Sequence, residues 1–554
     1  MYSGMLPRAA SKFVEAWYAL GHVKDDSVVA ISGFNMPLTP EYLIQGLYQL
    51  YRTSGHPKNL FIISDTFPGT PGRGLDWVAE RLYKEEGESQ EFIRGMLVAY
   101  YGWSKWLQKM AQENLFEAYT WPICVLASWF RDVASGKPGT LSRVGLGTFL
   151  DPRQDGGALN DLAKEKRTVK VDLVEIDGEE FLLYRAPLPE VAIIRGSRAD
   201  ELGNISLDEE GIIGPILQIA QSAKSKGRRG LVIAQILYPV RSGTIEPKKV
   251  VIPGPLVDYI IKAPPSKHWQ SATIQYDPRI SGQVSVPTEY LDIKPEPLTT
   301  KKLIARRVLL EMVRRVVEKG SYIVINLGVG IPSIVSTLIV EEGLQDYIIP
   351  TVESGPWGGL ALQGADFGVA LSPKAIIPLS EQFVFYEGGI IDAASLGFLQ
   401  VDKEGKVNAS ILPGRLTGPG GFPCISTGAP RLYFAGRFTA GKQDIRVEED
   451  GLKIVKDGDI PKFVENLYKI LYCPCNAVEE GREHLYVTER AVFRLTSEGL
   501  ELYEIAPGVD LEKDILAKME FKPVISKKLE VMDKRLFKKT RMGLREELLE
   551  ALRR

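Results

Sequence analysis

Residues 322–359, YIVINLGVGIPSIVSTLIVEEGLQDYIIPTVESGPWGG, decide the fold. YIVINL (322–327) and YIIPTV (347–352) are continuous apolar runs, without the alternation of a strand that faces water on one side. PSIVSTLIVEEG between them has helical length and spacing. Strands apolar on both faces belong to a parallel sheet covered by helices on each side. The same order occurs earlier as VVAIS (28–32), TPEYLIQGLYQLYRTSG and NLFIIS (59–64). Both halves of the chain are read as α/β.

Working outward, SVPTEYLDIKPEPLTTKK (285–302) breaks both periodicities with three prolines and mixed charge, as an interdomain linker does. The expected domains are 1–294, 295–520 and a basic amphipathic C-terminal helix over 521–554, with Leu544, Leu548, Leu549 and Leu552 at helical spacing. That helix is read as a surface or subunit-packing element. RADELGNIS (198–206) and QVDKEGKVNAS (400–410) share an acid, a glycine and an asparagine before a small apolar residue. Their return after similar openings predicts two related domains.

The totals bound the function. A chain of 554 residues exceeds one ordinary core, and Lys plus Arg (68) nearly cancel Asp plus Glu (70), so no polyanion such as nucleic acid is favoured as a partner. Four scattered cysteines (Cys124, Cys424, Cys473, Cys475) and four separated histidines give neither a disulfide framework nor metal spacing. No metal site, no membrane span and a cytoplasmic, reducing location are the expectations.

INLGVGIPS (325–333) leaves a strand and opens a helix, with Pro332 in the first turn where a missing N–H costs nothing. Gly328 and Gly330 match the first two glycines of a dinucleotide fingerprint, and Glu353 ends the next strand where an acid would hold ribose. Ser333 replaces the third glycine, which weakens that reading. Glu353 is followed by Gly355, Gly358 and Gly359, which would clear backbone space around a reacting carboxylate. On this stretch alone three roles stay open: covalent nucleophile, ribose ligand, or solvated strand-end acid beside a tight turn.

Across nearly its whole length the chain resembles the family I coenzyme A transferases, in the single-chain type with two fused domains facing across an active-site cleft. The resemblance rests on SGHPKNL (54–60), VGLGTFLDPRQDGGALN (144–160), DELGNISLD (200–208), NLGVGIP, TVESGPWGG, FVFYEGGIIDAASLGFLQVDKEGKVN (383–408), GPGGF (418–422) and LYVTERAVFRLTSEGLELYEIAPGVDLEKDILAKMEF (485–521). In that family the glutamate of the ESG or ENG motif is the nucleophile, which implies Glu353. It attacks an acyl-CoA, and a glutamyl-CoA thioester follows. With an ordinary pKa near 4.3, the carboxylate would be ionised at neutral pH without a general base. The resemblance further implies oxyanion donors on the backbone of Val329 and of Gly420 or Gly421. Gly328, Gly330, Gly355, Gly358 and Gly359 would line the CoA cleft. No permanent cofactor is implied, CoA and acyl-CoA being substrates, and a homo-oligomer, dimer or tetramer, is expected. The rivals are an acyl-CoA hydrolase on the same scaffold, a non-catalytic acyl-CoA-binding homologue and a nucleotide-dependent oxidoreductase.

The first half departs from the family pattern. In SGFNMPLTP (32–40), Ser32 and Leu38 stand where glycines are usual. In TWPICVLASWF (120–130), Pro122, Ile123 and Cys124 replace Pro-Gln-Gly, and YYGWSKW (100–106) replaces a segment rich in glycine and histidine. These changes predict a bulkier, more apolar acyl pocket, with Cys124 as a buried structural thiol.

Overall fold

The computed structural model describes residues 11–291 and 295–553. The expected boundary at 294/295 falls beside residues 292–294, outside the described ones. Contacts divide the chain into two compact units. Unit 1 runs to Leu141 and includes Ala158–Lys170 and Leu183–Gln283; unit 2 takes Ser142–Gly157, Val171–Leu182 and the chain from Val284. Most of the motif at 144–160 thus belongs to unit 2. There the Phe149 N–H donates to the Ile470 carbonyl at 2.9 Å and Lys469 pairs with Asp155 at 2.5 Å.

Unit 1 contains β1 (Val28–Ile31), α1 (Glu41–Ser54), β2 (Leu60–Ile63), β3 (Ile93–Leu97), β4 (Glu117–Tyr119), α2 (Ile123–Ala134), β5 (Val191–Arg195), β6 (Arg198–Asp200), β7 (Ile205–Ser206), α3 (Ile216–Lys224), β8 (Leu231–Ile236) and β9 (Tyr259–Lys262). Seven of these strands form one parallel sheet in the order β9-β8-β5-β1-β2-β3-β4. Its central strands are buried on both faces, Val29, Ala30, Ile193 and Ile233 among them, as their continuous apolar sequence requires.

Unit 2 contains α4 (Thr300–Lys319), β10 (Ile323–Leu327), α5 (Ile331–Glu341), β11 (Ile348–Thr351), β12 (Pro356–Trp357), β13 (Ala375–Ile376), α6 (Leu379–Glu387), β14 (Ala393–Gly397), β15 (Gln400–Val401), β16 (Val407–Asn408), α7 (Phe422–Gly428), β17 (Arg431–Ala435), β18 (Glu483–Val487), β19 (Ala491–Thr496), β20 (Gly499–Ile505), β21 (Val524–Val531) and α8 (Leu544–Arg553). Its ten-stranded sheet runs β13-β12-β11-β10-β14-β17-β18-β19-β20-β21. From β11 to β18 the neighbours are parallel. α4 starts where the Thr299 side chain accepts the Lys302 N–H and stops at Gly320 in the left-handed region, φ 67°. Leu303, Ile304, Val308, Leu309, Met312 and Val316 form its core face.

Five strands repeat between the units. The order β9-β8-β5-β1-β2 corresponds to β18-β17-β14-β10-β11. Ala30 pairs with Ala192 and Ile63, as Asn326 pairs with Ala394 and Thr351. The hairpins after β5 and β14 repeat as well. Asp200 accepts the N–H groups of Leu202 and Asn204 at 3.0 and 2.9 Å, and Asp402 accepts those of Glu404 and Lys406 at the same distances. Strand pairing equates Gly203 with Gly405, whereas Asn204 and Asn408 take different places in the turn. The two units are related domains.

The C-terminal expectation needs correction. Among the described residues of 521–554 the α-helix is confined to Leu544–Arg553, with one short 3-10 turn at Lys534–Phe537, and Val524–Val531 is a strand, because the free edge of β20 offers unpaired backbone groups to a segment containing valine and isoleucine. α8 is tied to unit 2 by Glu342, whose carboxylate accepts the N–H groups of Met542, Gly543 and Leu544. Leu544 and Leu548 are buried in the core of unit 2. The apolar face of this helix is satisfied within the chain, so it argues for no second subunit. Cys473 and Cys475, read as reduced from the sequence, are joined by a disulfide across a Cα separation of 5.3 Å, a span that a bridge accommodates. Among the described residues no helix is long and apolar enough to cross a membrane.

Candidate active site

β11 and β10 are parallel neighbours, with Asn326 opposite Thr351. Two residues beyond these partners lie Gly328 and Glu353, at the sheet edge where ligands of open α/β sheets collect. Glu353 occupies the second position of a turn closed by the Gly355 N–H on the Val352 carbonyl at 2.9 Å. Ser354, fully buried, donates its hydroxyl to the Gly368 carbonyl. The turn is clamped from the opposite side, because Ile377 N–H donates to Gly355 O and Gly358 N–H to Pro350 O.

Gly355, Gly358 and Gly359 owe their identity to this turn. All three have positive φ, and side chains at Gly355 and Gly359 would strike the carbonyls of Ile377 and Leu371. Their close neighbours are protein backbone and the Lys374 stem rather than open space. Gly330, with φ 91° and nothing within 4 Å of a side-chain position, does border open space, and Val329 beside it is 52% exposed.

The Glu353 side chain is partly buried and meets no hydrogen-bond or ion-pair partner among the described residues. Burial pushes its pKa up to about 7. This corrects the expectation of an ordinary value: the carboxyl is about half ionised at neutral pH. A β-carbon built on Gly421 would fall on Oε2 of Glu353, and within 3.1 Å of both its Cδ and Phe383 Cζ. The GPGGF loop therefore lies against the carboxylate. Gly421 precedes α7, and no described acceptor takes the N–H of Gly420, Gly421 or Val329. Such free N–H groups can receive a developing negative oxygen.

Sequence reading missed the residues that hold the strand ends together. The Tyr386 hydroxyl accepts from Asn326 Nδ2 at 3.1 Å and lies 2.9 Å from Thr351 Oγ1, which donates to the Ile325 carbonyl at 2.8 Å. With the one threonine proton committed to that carbonyl, the tyrosine must donate to the threonine oxygen. Tyr386 is fully buried and within electrostatic reach of Glu353. Only its place beside Glu387 in YEGGIIDAA hinted at the site. Asp392 in the same stretch is structural, since it accepts Lys319 Nζ at 2.8 Å and the Val324 N–H at 2.9 Å.

In unit 1 the same registers set Asp65 at the position of Glu353. DTFP (65–68) follows β2 as ESGP (353–356) follows β11. Asp65 is 1% exposed, its Oδ1 has no partner, and burial pushes it up to about 7. The two departures at 32–40 are partners, Ser32 Oγ donating to the Leu38 carbonyl at 2.8 Å. Ile123 and Cys124 are buried in the first turn of α2, and Cys124 is in a disulfide rather than the thiol expected. Among the described residues no three His, Cys, Asp or Glu side chains converge as metal ligands.

A sequence profile described as Coenzyme A transferase matches residues 16–263. The chain is 36% identical over 544 residues to a caffeate CoA-transferase of Acetobacterium woodii, covering 96% of this chain and 99% of that one. It is 38% identical over 533 residues to the acetate CoA-transferase YdiF of Escherichia coli K12, covering 96% of each. A crystal structure of YdiF from E. coli O157:H7, described as a thioester complex with CoA, matches with a TM-score of 0.84 at 36% identity, over 96% of this chain and 97% of that one.

Proposed function

The chain belongs to the coenzyme A transferase family and is an enzyme of that class, and from this we propose that it exchanges CoA between short-chain carboxylic acids through a thioester on Glu353. The observation that carries the reading is the state of that side chain: partly desolvated, without a partner, and pressed by the Gly421 backbone. A structural carboxylate so far from water would need hydrogen bonds or a cation. Glu353 has neither.

The ionised carboxylate attacks the acyl carbonyl, and the C–S bond breaks to release CoA thiolate. This leaves a mixed anhydride between Glu353 and the acyl group. The thiolate returns to the Glu353 Cδ and expels the first acid as its carboxylate, leaving glutamyl-CoA. A second carboxylate then runs the sequence in reverse. Negative charge develops on a carbonyl oxygen at each addition, and the free N–H groups of Val329 and of Gly420 or Gly421 are the proposed donors. Gly330 keeps the backbone beside Val329 bare, whereas the side-chain position of Gly328 is taken by Leu396 and the Ser395 carbonyl.

The two curated relatives act on acetate and caffeate by their names, so the acid partner belongs to the carboxylic acids broadly, with short chains proposed here. The proposed setting is the cytoplasm, with CoA and acyl-CoA as substrates, no permanent cofactor and a homo-oligomeric assembly. Incubating the protein with acetyl-CoA and no acceptor should add a CoA-sized mass to the peptide bearing Glu353. Borohydride should then inactivate the enzyme, and Glu353→Gln should abolish adduct and transfer alike. Near-native transfer by that variant would overturn the assignment. Rapid release of free CoA and acid without an acceptor would replace transfer with hydrolysis.

A further inference from the structure

β14 lies next to β10 and β17 next to β14, and both end on the same sheet edge, with Gly397 opposite Ala435. A side chain on Gly397 would come 3.8 Å from the Val329 carbonyl, so this stretch of the edge adjoins the glycine loop. One residue further on are Phe398 and Gly436. The space where Gly436 lacks a side chain is filled by the Phe398 ring and the Lys462 amine, 2.6 and 2.9 Å from the β-carbon position. Lys462 Nζ stands 4.0 Å from the ring centroid.

Lys462 is 7% exposed and has no acidic partner within ion-pair distance among the described residues. Arg437, the residue after Gly436, has a buried Nε without an acceptor and likewise no ion pair among them. The two cations are close enough to repel. Glu489, the acid within electrostatic reach of Lys462, is committed elsewhere, accepting the Phe438 N–H at 3.0 Å and Arg490 Nε at 2.9 Å. Burial, reinforced by Arg437, lowers the lysine amine to about 7 despite Glu489. A buried ammonium beside a partly buried guanidinium with a buried Nε, neither having a counter-ion among the described residues, lacks the compensation that buried charge needs. An anion placed between them supplies it, and a guanidinium beside an ammonium suits the oxygens of a carboxylate or phosphate.

We propose that Arg437 and Lys462 form an oxyanion-binding subsite of the transferase centre, receiving a charged group that a substrate carries away from its reacting bond. The inference rests on the reading of Glu353 given above. β17 lies three strands from β11, on the order of 14 Å at ordinary strand spacing, so the anion is not the carboxylate that reacts. Its source is either a second carboxylate on the acid or a phosphate of CoA.

Two ratios of kcat/KM, measured on the full-length protein and on Arg437→Met and Lys462→Met, distinguish these sources. The first compares glutarate with butyrate as acceptor. The second compares acetyl-CoA with acetylpantetheine, which lacks the phosphates, as donor. One ratio should fall at least tenfold in both variants, and which one falls identifies the source; Lys462→Arg should preserve it. If neither ratio falls tenfold in both, the subsite is refuted. Should the parent form no glutamyl-CoA, the Glu353 reading fails separately, and the subsite is judged by calorimetric binding of glutarate and CoA under the same tenfold criterion.

Discussion

The place that a methyl group on Gly421 would occupy is taken by the Glu353 carboxylate. Gly421 itself has φ −85° and ψ −6°, a conformation open to alanine. Gly421→Ala should therefore leave the melting temperature within a few degrees of the parent while displacing the carboxylate. Transfer should fall by on the order of a hundredfold or more, the scale of losing one oriented donor or misplacing a reacting group. Parallel kinetics and thermal melts check it, and a loss of activity matched by loss of fold would refute the local explanation.

Burial holds Glu353 at about 7 against an ordinary 4.5, and its two consequences have opposite signs. Because the ionised form attacks, kcat/KM for acyl-CoA should rise with pH and level off above about 7. In the folded protein the raised pKa makes Glu353 keep a proton that the unfolded chain has lost. Its contribution to stability is full below about 4.5 and falls as pH rises to about 7, by up to about 1.4 kcal/mol per pH unit. Glu353→Gln should thus become progressively more stable than the parent across that window and keep its advantage above it. Urea midpoints at pH 4.5, 6 and 8 read the difference directly. Asp65 titrates in a similar range but is common to both proteins.

Tyr386→Phe should act on the nucleophile through its support. Without the hydroxyl, buried Asn326 Nδ2 loses its acceptor, at a cost of about 1–3 kcal/mol. The ends of β10 and β11 lose the link through the tyrosine hydroxyl and keep the Thr351 bond to the Ile325 carbonyl. The expected signature is a fall in kcat with little change in KM, since no substrate contact is removed. A raised KM with unchanged kcat would place Tyr386 in binding instead.

Glu342 joins three N–H groups at the start of α8 to unit 2. Glu342→Ala should release that helix at a cost of about 2–4 kcal/mol, the range of charge-assisted hydrogen bonds with a desolvated end left behind. Limited proteolysis should then cut within residues 538–554 well before the parent is attacked. Unchanged protection would show that Leu544 and Leu548 hold the helix unaided.

Much of this protein is legible in its sequence because buried parallel strands write themselves as uninterrupted Val and Ile, at 28–32, 322–327 and 347–352 alike. The turn acid of the repeat, Asp200 or Asp402, is equally visible, since a carboxylate binding two backbone N–H groups has few substitutes. Context is what sequence conceals. Nothing local to Glu353 announces that its carboxyl sits near 7, because the desolvating neighbours come from Phe383 and Gly421, far along the chain. Tyr386 looks like any aromatic residue on a helix until Asn326 and Thr351 meet its hydroxyl. The helix expected over 521–554 failed for a related reason. The pattern of 524–531 is ambiguous alone, and the edge of β20 decides it.

The repeated registers give the molecule an internal control. Asp65 and Glu353 leave matching strand ends, each followed by a hydroxyl residue and, three places on, by a proline. Both carboxyls sit near 7. One is sealed and one methylene shorter, whereas the other is reachable. Any reagent that modifies carboxyls by their acidity should treat the two alike, and any reagent that needs access should, of the two, find only Glu353. A selective carboxyl-directed label thus reports reach rather than ionisation, with its blank built into the same polypeptide.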